Sequence, residues 1–339
     1  MTIKENYNTQ DKTFTVYTEE KLVLNIDLTA CSEEEQPRMI AIVNRLAKSQ
    51  QGLEALQVAA EKGYRFGFMS DGRNANGVTN FFAKRILLNS HRTDDKLIGT
   101  LCHECRHAVQ NDRSSVLKEE DRWDIKTNLL YNRAMEADAQ VCAIVACKEL
   151  EAQGDVKPYA EFKDKYPEIE AAFNQAYLAA GNKITHEVMT KAFEGWYDQK
   201  RIKTLYEQGY VLKPLSNDVR WMKKGANGKP FDRVVSAEQT IKEITRTKDG
   251  NYFTDNPEIL NGGKYMSVSE NTMKQMQNYI DTRNHLKKGD KSEILTGIPT
   301  HPDVSVPNMT EFNIPNLKEK NAGKQNVQIA LMQKISKGR

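Results

Sequence analysis

No stretch of this sequence is long and apolar enough to cross a bilayer as a helix, and a mean hydropathy of −0.68 argues against a helical membrane protein. The opening "MTIKENYNTQDKTFTVYTEE" also lacks the apolar core of a secretory signal, so the expectation is a chain made and kept in the cytoplasm, with no membrane partner. Cysteine is scarce. Five residues, an odd number at irregular spacing, supply neither a disulfide framework nor a cysteine-based zinc ribbon, which leaves small buried thiols in a reducing compartment. An excess of charge of one sign is missing too: 49 basic residues against 46 acidic ones leave +3, too little to argue for a nucleic-acid partner. Basic residues gather in Lys223–Lys229 and after Lys318, and both runs read as solvated surface. With 39% hydrophobic and 28% charged residues among 339, the chain has an ordinary globular composition, which excludes collagen-like, coiled-coil and wholly disordered classes.

What is present begins with strand chemistry. "FTVYTEEKLVLNIDL" (14–28) is rich in β-branched and aromatic residues that partly alternate, predicting one or two short strands. Ser32 followed by Glu35 makes a capping-box pattern, and Met39, Ile40, Val43, Leu46, Leu53 and Leu56 carry a helical period to about Lys62. "YRFGFM" (64–69), the turn residues "DGRNANG" and "VTNFFAKRILLNS" (78–90) read as a hairpin with a wide loop. Thr93 then caps a helix whose first turn holds Asp94 and Asp95 and which runs to about Asn111. A second long helix is expected over 123–153, and more at 158–180 and 184–208, where aromatic residues recur at helical spacing as core. Beyond Gly209 short elements at 210–212, 233–235 and 252–254 alternate with Gly, Asn and Lys, a helix fits 267–286, and 297–325 is rich in Pro and Asn. The resulting organisation is a mainly helical unit over 1–210 and a mixed C-terminal region over 211–339, with a loosely ordered basic tail from about 310.

The chemistry concentrates in "LIGTLCHECRHAVQND" (97–112). With His103 at zero on a helical wheel, His107 lies at about 40°, Thr100 at about 60°, Glu104 at about 100° and Gln110 at about −20°. Ile98, Leu101, Cys102, Cys105 and Val109 fall between about 160° and 260°, so an apolar stripe docks the helix while the histidines face a cleft. Two imidazoles one turn apart suit a zinc ion, and the adjoining glutamate suits proton transfer from a water that the ion acidifies. A catalytic zinc needs a third protein ligand. "NRAMEADAQVCA" (132–143) offers Glu136, on a polar face with Asn132, Arg133 and Gln140, and Asp138, on the face of Tyr131, Val141 and Val145. The two point about 200° apart, so only one can reach the ion. Glu136 is the better placed; Asp138 is the reserve ligand, a second-rank acceptor behind a ligand, or the partner of a basic residue. His91, His186, His285 and His301 read as surface or cap residues.

HECRH, followed about thirty residues later by a helix containing E-A-D-A, is similar to gluzincin-type HExxH zinc metallopeptidases, including small bacterial metallopeptidase domains and, more remotely, the CAAX prenyl protease group. The likeness covers about residues 60–150. It implies an α+β, zincin-like core (a short antiparallel sheet, the HExxH helix and a glutamate-bearing helix) and zinc held by His103, His107 and Glu136, with Glu104 as general base. The prenyl protease pattern carries its glutamate where Ala134 stands here. The third histidine of metzincins is absent after His107, and "TACSEEE" lacks the Gly-Cys of deformylases.

The expected function is zinc-dependent hydrolysis of a peptide bond in an extended protein or peptide substrate, which would pair with the edge of the strand at 81–89. Tyr131 and His186 are the candidate donors to the oxyanion. The alternative is a catalytically silent zincin-fold binding or effector module whose function, and protein partner, lie with residues 211–339. The tail "LKEKNAGKQNVQIALMQKISKGR" is compatible with signal-peptide-independent secretion, although a solvated tail explains it better.

Overall fold

The computed structural model describes residues 4–17, 22–70, 75–253, 256–287 and 297–304. The basic tail read from about 310 lies outside them.

Strands β1 (Lys4–Asn8), β2 (Thr13–Tyr17) and β3 (Leu22–Ala30) form an antiparallel meander. In β3 Leu24, Ile26 and Leu28 are buried while Asn25 and Thr29 face outward, as a period of two requires. Two helices follow where the periodicity predicts one: α1 (Gln36–Ala47) and α2 (Gln50–Glu61). Ser49 breaks the run with an extended backbone and accepts the Gly52 amide at 2.7 Å. Gly52 sits where α2 crosses the end of α1, and a Cβ there would stand 2.6 Å from the Leu46 carbonyl oxygen. The apolar period survives this break because both helices present their stripes to the same core. Glu35 does accept the Ser32 amide at 2.9 Å, but Glu35 itself is the helix cap.

The expected hairpin between 64–69 and 78–90 is not formed. Strand β4 (Arg65–Met69) pairs in parallel with β6 (Arg85–Asn89), and β5 (Gly77–Asn80) folds antiparallel onto β6 through the turn at 81–84. Segment 78–90 is therefore a hairpin in itself. With β3 and β4 also parallel, the sheet is mixed, in the order β1-β2-β3-β4-β6-β5, rather than a short antiparallel one. Its edge nearest the next helix is β5, while β6 is paired on both sides.

Helix α3 (Asp94–Arg113) starts at Thr93, which accepts the Lys96 amide, and Asp94 and Asp95 pair with Arg38 and Arg45 on α1. Helix α4 (Ile125–Ala152) is capped by Asp124 and is buried without interruption from Thr127 to Cys147. The segment after it is more finely divided than the aromatic spacing suggests. Pro167 separates α5 (Lys157–Lys165) from α6 (Pro167–Ala179), and α7 (His186–Trp196) is followed by α8 (Lys200–Glu207). Helix α8 continues without a linker through a π-helical turn at 208–212 into α9 (Lys213–Met222). The soft boundary near 210 thus falls inside a continuous helical path, and hydrophobic residues on both its sides join one cluster.

The remainder comprises α10 (Ala237–Ile244), which apolar spacing did not reveal, a small hairpin β7 (Arg246–Thr247) with β8 (Gly250–Asn251), and α11 (Gly263–Met266). Then come β9 (Val268–Ser269), α12 (Glu270–Leu286) and β10 (Thr300–His301), the last parallel to β9. Two cores result. The sheet, α1, α2 and α3 enclose one; α4 to α12 enclose the other, and α4 contributes to both. All five cysteines are free and buried.

Candidate metal centre and active site

The apolar stripe of α3 packs as its phase demands: Ile98, Leu101, Cys102 and Cys105 are fully buried. His103, Glu104 and His107 lie on the other face, buried beneath a cleft of about 340 Å³ that His103 and Glu104 line. The polar face of α4 meets them. Among the described residues His103, His107 and Glu136 are the only group of three whose potential ligand atoms converge. The two Nε2 atoms are 3.0 Å apart, His103 Nε2 is 3.4 Å from Glu136 Oε2, and His107 Nε2 is 3.6 Å from Glu136 Oε1.

These separations, the two to Glu136 running to different carboxylate oxygens, pass a simple test for a metal. Ligands about 2.05 Å from a tetrahedral ion are about 3.3 Å from one another, and the observed edges bracket this value. Tautomers agree as well. Gln110 donates through Nε2 to the Met135 carbonyl (2.9 Å) and Asp138 (2.6 Å), so its Oε1 is the acceptor for His107 Nδ1–H at 2.8 Å. With Nδ1 turned to Gln110, Nε2 is the His107 ring atom that faces another imidazole nitrogen and a carboxylate. Glu136 Oε2 is fully buried with no hydrogen-bond donor. Two imidazole nitrogens and a buried carboxylate, one oxygen of which has no donor among the described residues, form a donor set suited to a cation such as zinc.

Asp138 does not join this group. It accepts from Arg106 Nε (2.6 Å) and Nη2 (3.0 Å), from Gln110 and from the Tyr252 hydroxyl (2.9 Å). It is both the partner of a basic residue and, through Gln110, the anchor of His107. Of the roles open to it in the sequence it takes the pair with a basic residue, while the His107 N–H goes to Gln110 instead.

Glu104 is held from the sheet. The Thr79 hydroxyl on β5 lies 2.8 Å from both the Glu104 carboxylate and its backbone carbonyl, sharing one proton between them. Gly77 leaves the room: a Cβ there would stand 2.9 Å from Glu104 Cγ and 3.0 Å from Oε1. Burial pushes the Glu104 carboxyl up to about 7, with His107 and the Thr79 bond resisting. For Glu136 burial also acts upward, but His107, His103 and the Tyr210 hydroxyl outweigh it and bring the carboxyl to about 2. The two buried carboxylates are thus shifted in opposite directions by their surroundings.

The expected oxyanion donors lie elsewhere. Tyr131 donates to Glu243 (2.9 Å) and contacts Ser114, and His186, in the first turn of α7, does not line the cleft. Sequence reasoning missed instead Tyr206 and Tyr210. Tyr210 donates to Glu136 Oε1 at 2.5 Å, and Tyr206, stacked on it with centroids 5.6 Å apart, lines the cleft. Burial, followed by the charge of Glu136, raises both hydroxyls well above the usual range, so both remain donors. Their i, i+4 spacing was the available signal, but it sits in a π-turn that no helical wheel anticipates. His301, expected at the surface, is largely buried against Glu207 (3.7 Å), whereas His91 is exposed.

No helix among the described residues is long and apolar enough to cross a membrane. A family model described as "Putative metallopeptidase family (DUF6782)" matches residues 18–219, more than half of the chain. No curated protein and no solved structure gives a significant match.

Proposed function

Because the chain belongs to this metallopeptidase family, we propose that it is a zinc-dependent peptidase of the gluzincin kind, with a zincin-like core, acting on extended protein or peptide segments. The observation that carries the reading is the triangle of His103, His107 and Glu136 with Glu104 on the same helix, one face of it open to the cleft. When bound there, zinc supplies Lewis acidity, polarising a substrate carbonyl and lowering the pKa of a water toward about 7.

The chain's own groups do the rest. Glu104, held by Thr79, takes the proton of the attacking water and returns it to the leaving amine, so that water adds across the C–N bond. Tyr206 offers its proton to the carbonyl oxygen as negative charge develops, a part that its place on the cleft wall supports. Strand β5, the sheet edge against α3, provides backbone groups for an extended substrate; this replaces the strand at 81–89, whose edges are both occupied.

Glu104→Gln tests the mechanism. Zinc content by elemental analysis should stay near that of the wild type while peptide hydrolysis falls by on the order of 10²–10⁴-fold. Full activity in that variant would remove Glu104 as the base.

A further inference from the structure

The cleft carries more cations than anions. Arg92, Lys96 and Lys165 line it, against the carboxylates of Glu104 and Glu161. Glu161 answers Lys96 across 3.9 Å. Lys165 is different: half-buried, its Nζ lies 4.8 Å from the centre of the Tyr166 ring, and no carboxylate among the described residues is within ion-pair distance.

The end of helix α5 favours cations for its own sake, because the helix dipole is negative there. That accounts for a lysine in the last turn but not for its direction. Lys163, in the same turn, is 62% exposed and faces Glu170 at 3.7 Å. Lys165 turns inward, beside the groups of the candidate site. A cation kept partly out of water and lacking an anion is costly, and a bound anion removes that cost.

Resting on the peptidase reading above, we propose that Lys165, aided by Arg92 and Lys96, makes this site selective for peptides that place a carboxylate close to the scissile bond. The carboxylate is either an Asp or Glu side chain or the free C-terminus of the substrate. Both would meet a cleft richer in cations than anions, where low-dielectric surroundings strengthen the attraction and where a basic peptide is repelled. The Tyr166 ring beneath Lys165 holds the ammonium over the cleft rather than in solvent.

Binding separates this inference from catalysis. Short alanine-rich peptides, identical but for Glu, Gln or Lys at one central position and each with a free or amidated C-terminus, are titrated onto zinc-loaded, full-length Glu104→Gln protein. The same series is run on the Glu104→Gln, Lys165→Glu double variant and assayed for cleavage by the wild type. A carboxylate should improve affinity about five- to tenfold over its neutral counterpart, and Lys165→Glu should abolish or invert the preference at unchanged zinc content and melting temperature. A gain from central Glu identifies a side chain as the source, and a gain confined to free C-termini identifies the terminus; either supports the proposal. Equal binding of all peptides, no binding at all, or a preference that survives Lys165→Glu overturns it. Selective binding without cleavage by the wild type would instead sink the hydrolytic reading and leave the carboxylate selectivity standing.

Discussion

The two cores that meet at α4 are built differently. On the sheet side the strands, α1 and α2 bury no charged residue among those described, only Gln36, Ser49, Thr79 and Asn89 beside apolar side chains such as Leu24, Ile26 and Phe66, and the buried Arg106 of α3 turns to Asp138 on α4. On the helical side charge is folded inside: Arg133 pairs with Glu207 at 2.8 Å, Arg283 with Asp218 at 2.9 Å, and Lys203 Nζ donates to the Lys264 carbonyl at 2.8 Å, all but excluded from water. Each core also supports a different half of the candidate site. The sheet positions Glu104 through Thr79 and Gly77; the helical side positions Glu136 through Tyr210. An apolar core tolerates variation provided that volume is kept, whereas buried ion pairs demand particular partners and penalise the loss of either.

This division can be challenged at three points. The largest effect is expected from Lys203, whose ammonium burial brings down to about 8 from its unfolded value, with the nearby Arg133 acting in the same direction. Between pH 8 and 10.5 the unfolded chain binds this proton and the folded chain does not, so stability from this group rises with pH across that window. The penalty is fully present below pH 8 and amounts to about 3 kcal/mol. Denaturant unfolding at pH 7 and pH 10 should therefore show a gain in the wild type that Lys203→Met lacks; parallel pH responses in the two would show that the helical core does not strain against this charge.

Tyr210→Phe comes next. Removing the donor to Glu136 should weaken zinc binding about 10–100-fold in a competition with a chromophoric chelator, and leave the sheet-side core untouched. Thr79→Val should do the reverse, lowering kcat about tenfold at unchanged zinc affinity, because only the orientation of Glu104 changes. If Thr79→Val released the metal, or Tyr210→Phe affected turnover alone, the assignment of one half-site to each core would fail.

The same contrast explains what could be read before the fold was known. Alternation in 24–28 and the stripe from Ile98 to Val109 are local records of burial, and they place β3 and the orientation of α3 directly. His103, Glu104 and His107 share a face for the same reason, and the polar phase of Glu136 separates it from Asp138. Strand pairing was not legible: β4 finds β6 rather than its neighbour in sequence, a choice made by long-range packing. Nor were the supporting groups. Gln110 reaches Asp138 across 28 positions, Tyr210 reaches Glu136 across 74, and Thr79 reaches Glu104 across 25. Helix α10 escaped because its stripe of Ala237, Thr240, Ile241 and Ile244 is only eight residues long and holds few strongly apolar side chains, and the π-turn because its wider turn breaks the period on which such reading depends.

Helix α4 carries a consequence for inheritance. A surface helix absorbs the gain or loss of one residue by turning a few side chains from water to water. From Thr127 to Cys147, α4 has no such face, since one side closes the sheet core, the other closes the helical core, and Glu136 points between them. One residue more or less would rotate all that follows by about 100°, exchanging the contents of both cores at once. Substitutions can accumulate there one at a time, but its length cannot drift, so lineages of this chain should differ in their loops and keep the count of residues along α4 constant.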